Sequence, residues 1–181
     1  MAKWPWAERT FTFDYPPAKL PELIERVCGT PARIEELVRG RDRATLTGHD
    51  GRGWSIQENI GHLLDTEYLA PVRIDQILRG ERELIAADMG NRRTHEANHD
   101  ARDLSELLAA FRAERMKVVA RFEQVPEEDW GKSAVHPRLR VPMRIVDIAY
   151  FVAEHDDYHL ARIRHLTRAR RVVPDTVPPP S

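Results

Sequence analysis

The chain has 181 residues, with 28 Lys+Arg against 29 Asp+Glu, a formal net charge of −1, 41% hydrophobic and 31% charged residues. That length encloses a hydrophobic core as one domain, and the composition excludes a disordered, collagen-like or membrane protein. No basic excess supports a nucleic-acid partner.

Residues 1–16 are rich in aromatics. Phe11, Phe13 and Tyr15 alternate with Thr12 and Asp14, a period of two with no partner strand. An extended arm lying on the domain or on a neighbouring subunit is expected, with Trp4, Trp6, Phe11 and Phe13 as packing residues. The main body is predicted over 17–170. Helix 1 is predicted from about Lys19 to Arg39, on the stripe Leu20, Ile24, Val27, Ile34 and Val38. Pro31 either kinks it or opens a second helix with Thr30 as N-cap. Residues 41–53 read as turns.

Helix 2 starts at Ser55, where Ser55 and Glu58 form an S-x-x-E capping box, and reaches Leu78–Arg79, bent at Pro71. Residues 81–102 are a long polar connection with room for a turn of helix. Helix 3 begins at the capping pair Asp103 and Glu106 and ends before Pro126. Helix 4 opens at Pro142, a favoured first-turn position. A Pro-rich loose tail is expected over 171–181. Four long amphipathic helices suggest an all-α four-helix bundle. The long second and third connections leave other topologies than up-down-up-down open.

The stripe of helix 4 runs Ile145, Ile148, Val152, His155, His159 and Leu166. The two histidines, four apart, share one face and can reach one ion of the zinc or nickel type. The competing reading is a pair of core histidines bonded to carboxylates or carbonyls. Helix 2 supplies His62 as a third imidazole. On the helical wheel, however, Glu67 lies at the apolar centre through Ile60, Leu63, Ile74 and Leu78, and His62 is about 140° away. Glu67 is thus a candidate ligand, general base or buried partner for an arginine such as Arg73 or Arg162.

His95-Glu96-Ala97-Asn98-His99 is literally H-E-x-x-H, the zincin pattern. No apolar stripe would bury such a helix, so the protease reading is set aside, although His95 and His99 remain candidates for a pocket mouth. His49, His136 and His165 read as surface or loop residues.

The lone cysteine, Cys28, rules out an intrachain disulfide or a cysteine zinc cluster and suits a reducing compartment. The first residues lack the apolar core of a signal peptide, and no run nears eighteen apolar residues. A cytoplasmic protein with no membrane partner is expected.

Three stretches, Gly53 to Asp65, His136-Pro137, and Phe151 to Ile163, occur in the order and separation that resemble the DinB/YfiT-like superfamily. The resemblance implies an up-down-down-up four-helix bundle, often a homodimer, and a three-histidine metal site that carries over to His62, His155 and His159. Tyr158 stands where relatives often have another histidine, which marks it as a pocket residue. Asp156, one turn from His159, and Glu67 or Glu58 near His62 are candidate carboxylates behind the imidazoles. Characterised members of this superfamily are thiol-S-transferases and thiol-dependent isomerases that use low-molecular-weight bacterial thiols. The expected function is therefore a metal-dependent transferase, with zinc or nickel activating a small thiol against an electrophile. The alternatives are a metal-dependent hydrolase and a non-catalytic, metal-stabilised or stress-associated binding bundle.

Overall fold

The computed structural model describes residues 5–169. Trp4 and the tail over 171–181 lie outside the described residues. The helices are α1 (Leu20–Cys28), α2 (Thr30–Val38), α3 (Arg43–Thr47), α4 (Ile56–Thr66), α5 (Leu69–Leu78), α6 (Arg92–Glu96), α7 (Leu104–Glu123) and α8 (Ile145–Ala169). Two short strands, β1 (Ser133–Val135) and β2 (Pro142–Arg144), form an antiparallel hairpin.

Four rods result, α1–α2, α4–α5, α7 and α8, and side-chain pairs fix their directions. The first and last run parallel: Arg26 meets Glu154, Thr30 meets Asp156, and further along Leu37 and Arg41 share a groove with Arg164 and Arg168. The second and third are also parallel, since Glu67 meets Arg115 and Asp75 meets Arg121. The second rod opposes the fourth, with Asn59 on His159 and His62 on His155. The first opposes the third, with Val27 beside Arg115 and Glu35 beside Arg112. The order is up-down-down-up.

The caps follow the sequence at two starts. Ser55 and Glu58 complete the capping box of α4, and Asp103 accepts from the amides of Ser105 and Glu106 at α7. Of the two readings of Pro31, the one with a second helix holds, and other boundaries differ from expectation. The first rod divides at Gly29, and Thr30 is the first residue of α2 rather than its cap; its hydroxyl donates to Asp156 instead. The second rod breaks at Glu67–Tyr68, one turn before Pro71. A helical proline clashes with the carbonyl four residues earlier, so the break falls there, and Pro71 occupies the first turn of α5 where its missing N–H costs little. Pro142 belongs to β2, and α8 starts at Ile145; Asp147 accepts from the Arg144 amide at that start. A short α3, capped by Asp42, occupies part of the stretch read as turns.

Two apolar clusters fill the bundle. One contains Val27, Ala70, Val118 and Ala153 with the hairpin residue Met143; the other contains Ile34, Leu63, Phe111 and Leu160. The boundary between them falls at the same level in every rod, and Thr30, Glu67, Arg115 and Asp156, all buried, lie there.

The aromatic arm runs along α8. Trp6 and Phe11 meet Phe151, with ring centroids 5.0 and 4.9 Å apart, and Phe13 and Tyr15 meet Tyr150 at 6.3 and 5.0 Å. This apolar contact surface holds a segment that lacks strand pairing.

Candidate metal centre

His155 and His159 project from one face of α8, and α4 brings His62 against them. The Nε2 atoms of His62 and His155 are 3.3 Å apart, and those of His159 and His155 are 3.2 Å apart. Four-coordinate zinc with bonds near 2.05 Å requires donor separations of about 3.3 Å. The three nitrogens therefore have the spacing and chemistry of a set that could hold one ion.

The opposite ring nitrogens are anchored. Asn59 donates through its amide nitrogen to the carbonyls of Ser55 (2.6 Å) and Trp54 (3.2 Å), which turns its oxygen toward His159. That oxygen accepts from His159 Nδ1 at 2.8 Å. Thr94 donates to Asp65 at 2.9 Å, so its oxygen is left to accept from His62 Nδ1 at 3.1 Å. Both anchors place the ring proton on Nδ1 and leave Nε2 as a lone pair, the tautomer that ligates. Burial, reinforced by the neighbouring His155, pushes His62 down to about 3. Burial with the charges of Arg115 and Arg9 pushes His155 down to about 3. His159 is likewise held well below its ordinary value by burial and its two neighbours. All three rings are neutral at pH 7, and the Nε2 lone pairs of His62 and His159 both face His155 Nε2, which as a neutral ring has at most one proton to offer the two of them.

Why His62 points inward, against the wheel, is visible in what covers α4. The connection over 81–102 packs on its outer flank, so Gln57, Asn59, Gly61 and His62 are buried together with Ile60 and Leu63. The break at Glu67 also ends the continuous phase on which the wheel relied. His99, the second histidine of H-E-x-x-H, lies beneath this flank and bonds Asp65 at 2.9 Å. His95 is exposed, with its ring 5.8 Å from that of Trp54; the motif breaks at Asn98, whose φ is 47°, so the two histidines do not converge. A Cβ on Gly61 would come within 2.2 Å of the His99 ring. Gly61→Ala should therefore lower the melting temperature by about 5 °C despite the better helix propensity of alanine; thermal denaturation showing an unchanged or raised midpoint would contradict this.

The expected carboxylates behind the imidazoles do other work. Arg115 of α7, 1% exposed, holds Glu67 through two bonds of 2.9 and 2.6 Å. It also binds both oxygens of Asp156 and the carbonyl of Val27 at 3.0 Å. Burial alone would lower the Arg115 guanidinium, but Asp156 and Glu67 outweigh it and raise it. Burial raises the Glu67 carboxyl and Arg115 opposes this; the two-pronged contact decides for the ionised pair. Glu67 is thus an arginine partner, but of Arg115 rather than of Arg73 or Arg162. Glu58 is spent in its capping box. Arg115 itself was readable, since it continues the Phe111, Val118, Phe122 stripe at helical spacing. Asn59, Asp65 and Thr94 carry no sequence signal of that kind.

A cavity of about 390 Å³ opens beside the three imidazoles. Tyr158, Trp6, Trp54 and Phe151 line it, while His95 and His99 do not. Trp54 lies against His62, 4.5 Å between centroids, and stacks over His159 at 6.1 Å. His136, read as a surface or loop residue, lies in the loop between β1 and β2 but is 3% exposed and lines the same cavity.

An up-down-down-up bundle with three histidines converging on an internal cavity defines the class of protein. The sequence pattern of the DinB superfamily matches residues 29–163, and the chain belongs to that superfamily. No curated protein matches it. Among solved structures, it is similar to YfiT from Bacillus subtilis, described as a probable metal-dependent hydrolase with an unusual four-helix bundle topology. That likeness has a TM-score of 0.78 and 18% identity over 90% of this chain and 94% of YfiT. It is also similar to the mycothiol-dependent maleylpyruvate isomerase, with a TM-score of 0.65 and 13% identity over 84% of this chain and 62% of that one. At these identities the likeness is one of fold. Among the described residues no helix is long and apolar enough to cross a membrane.

Proposed function

We propose that the protein is a metal-dependent transferase in which His62, His155 and His159 hold one divalent ion, zinc or nickel, and a low-molecular-weight thiol attacks an electrophile in the adjoining cavity. The observation that carries this reading is the convergence of three Nε2 atoms, with that of His155 at 3.3 and 3.2 Å from those of His62 and His159, and with the lone pairs of His62 and His159 fixed by hydrogen bonds at Nδ1. A divalent ion held by three imidazoles supplies Lewis acidity that ionises a thiol near neutral pH.

The protein's own residues favour sulfur over water as the nucleophile. Attack by water calls for a proton acceptor beside the reacting oxygen. Glu67 and Asp156 are tied to Arg115, and Asp65 accepts from His99 and Thr94. Burial alone would raise the Asp65 carboxyl, but the bonds from His99 and Thr94 outweigh it and lower that carboxyl, which makes it a weak proton acceptor. A thiol, being far more acidic than water, would give its proton to solvent before the transfer step and would need no such base there: the thiolate sulfur forms the bond to carbon and the leaving group departs with the electron pair of the bond that breaks. Trp54, Trp6 and Phe151 shield this step from bulk water. The described fold of YfiT keeps a second reading, a metal-dependent hydrolase, in view.

Purified full-length protein should retain about one equivalent of zinc or nickel per chain. It should then couple mycothiol to 1-chloro-2,4-dinitrobenzene with release of chloride, and lose this activity on chelation. Turnover of p-nitrophenyl acetate at the same rate with and without thiol would support the hydrolase instead. Metal retained with neither activity would leave a binding bundle.

A further inference from the structure

We propose that Arg73, His136 and Arg138 form a carboxylate pocket in the wall of this cavity, so that the substrate is a small, largely apolar molecule bearing a carboxylate. The inference rests on the preceding section for what happens to the substrate, but the pocket itself is built from other residues.

Each of the three presents a hydrogen-bond donor or a positive charge with no anion to receive it. Arg73, on α5, is 4% exposed. Among the described residues it has no carboxylate partner; its Nε and Nη2 reach only the carbonyl of Ile85, at 3.3 and 3.0 Å. His136, in the hairpin turn, accepts at Nδ1 from the backbone amides of Arg138 and Leu139, both at 3.2 Å. Its ring proton is thereby placed on Nε2, and that buried atom has no acceptor. Arg138 donates through Nη1 to the carbonyl of Ala7 at 2.9 Å, while its buried Nη2 also has none. Buried polar groups are normally satisfied, and a buried cation without a counter-ion is rarer still.

The local field agrees. Burial lowers the Arg73 guanidinium to about 10, with the charge of Arg138 adding to the effect. Burial, then Arg73 and Arg138, holds His136 down to about 4, so it is a neutral N–H donor between two cations. An anion would receive all three groups. The cavity's own carboxylates are engaged elsewhere: Asp65, Glu67 and Asp156 as described above, and Asp88 with the amides of Gly90 and Arg92.

A carboxylate suits the site by shape. Its planar pair of oxygens matches the guanidinium fork, and the lining also offers apolar side chains, among them Ala70, Ile148, Phe151 and Val152. The volume admits a small ligand. The His136 and Phe151 rings are 5.4 Å apart, Phe151 and Trp6 5.0 Å, and Trp6 and His155 4.9 Å. A molecule anchored by its carboxylate therefore lies along Phe151 and Trp6 and extends toward the three imidazoles.

Calorimetric titration of full-length protein tests this with benzoate, its neutral isostere benzamide, benzenesulfonate and phenyl phosphate, each with metal-free and zinc-loaded samples. Benzoate should bind both samples, at least tenfold more tightly than benzamide and more tightly than the other two anions. Arg73→Gln should weaken benzoate at least tenfold. Arg138→Gln, at a less buried position, should weaken it severalfold with an unchanged circular dichroism spectrum, which keeps the test decisive if Arg73→Gln does not fold. Equal binding of benzoate and benzamide, no binding of benzoate, or unaltered binding by the variants would overturn the pocket. Preference for the phosphate or sulfonate would overturn the carboxylate assignment. Benzoate binding that appears only with zinc would place the ligand on the ion and overturn it too. Binding that persists in His155→Ala would uphold the pocket even if that protein, and the wild type, prove metal-free.

Discussion

His155→Ala is expected to abolish metal retention while leaving the bundle folded. His155 is the shared member of the cluster, since its Nε2 is the atom near both His62 and His159. Its removal leaves two ligands, and their separation is no longer bridged. Loss of a partner behind a ligand already costs roughly 10–100-fold in affinity; loss of the ligand should cost more. His155 is only half-buried, so the variant should keep its helical spectrum. Metal analysis after gel filtration should find about one ion per wild-type chain and almost none in the variant. Chelation gives a second readout. An ion present at a hundred times its dissociation constant stabilises by about 2.7 kcal/mol, which for a chain of this size is roughly 5–10 °C in melting temperature. Chelator should lower the midpoint of the wild type by that amount and leave His155→Ala unmoved. Equal metal in both proteins would end the three-histidine reading.

The largest loss of stability is expected from Arg115→Met. Methionine fits the side-chain volume but strands Glu67 and Asp156, each less than a tenth exposed, without their cation. Breaking a buried ion pair from one side costs about 3–5 kcal/mol, or roughly 10 °C or more here. The stranded carboxylates, not the missing contacts, cause the loss. Adding Glu67→Gln and Asp156→Asn to Arg115→Met should therefore recover most of it. Thermal melts showing a single-variant drop below about 3 °C, or a triple variant less stable than the single, would contradict this account.

How much could be read beforehand depended on whether a signal was local. Two histidines four apart on an apolar stripe are a local pattern, and His155 and His159 sit as that pattern requires. Ser55, Glu58 and Asp103 announce their caps for the same reason. His62 faces inward because a distant segment, the connection over 81–102, closes over Gln57 and Gly61 and buries a flank that periodicity assigns to solvent. The resemblance to a family, not the wheel, identified it. Thr94 and Asn59 become anchors through tertiary placement alone. Thr30, a cap only in the reading where Pro31 opens a second helix, donates instead to Asp156 on another rod. Three-residue strands leave no periodic trace, so neither the hairpin nor the burial of His136 that goes with it is legible in the sequence. Arg115 could have been found: an arginine in line with Phe111 and Val118 must meet a carboxylate.

The level at which Thr30, Glu67, Arg115 and Asp156 meet also acts as an index mark for assembly. Apolar seams alone tolerate axial slippage, because one leucine layer resembles the next. Here a slip of any rod by one turn, about 5.4 Å, would carry a charge into hydrocarbon and leave its partners behind. Only one vertical alignment of the four rods avoids that, and it is the same alignment that brings position 62 level with 155 and 159. The ionic belt and the imidazole cluster are thus set by a single gauge, so whatever secures the first also aims the second.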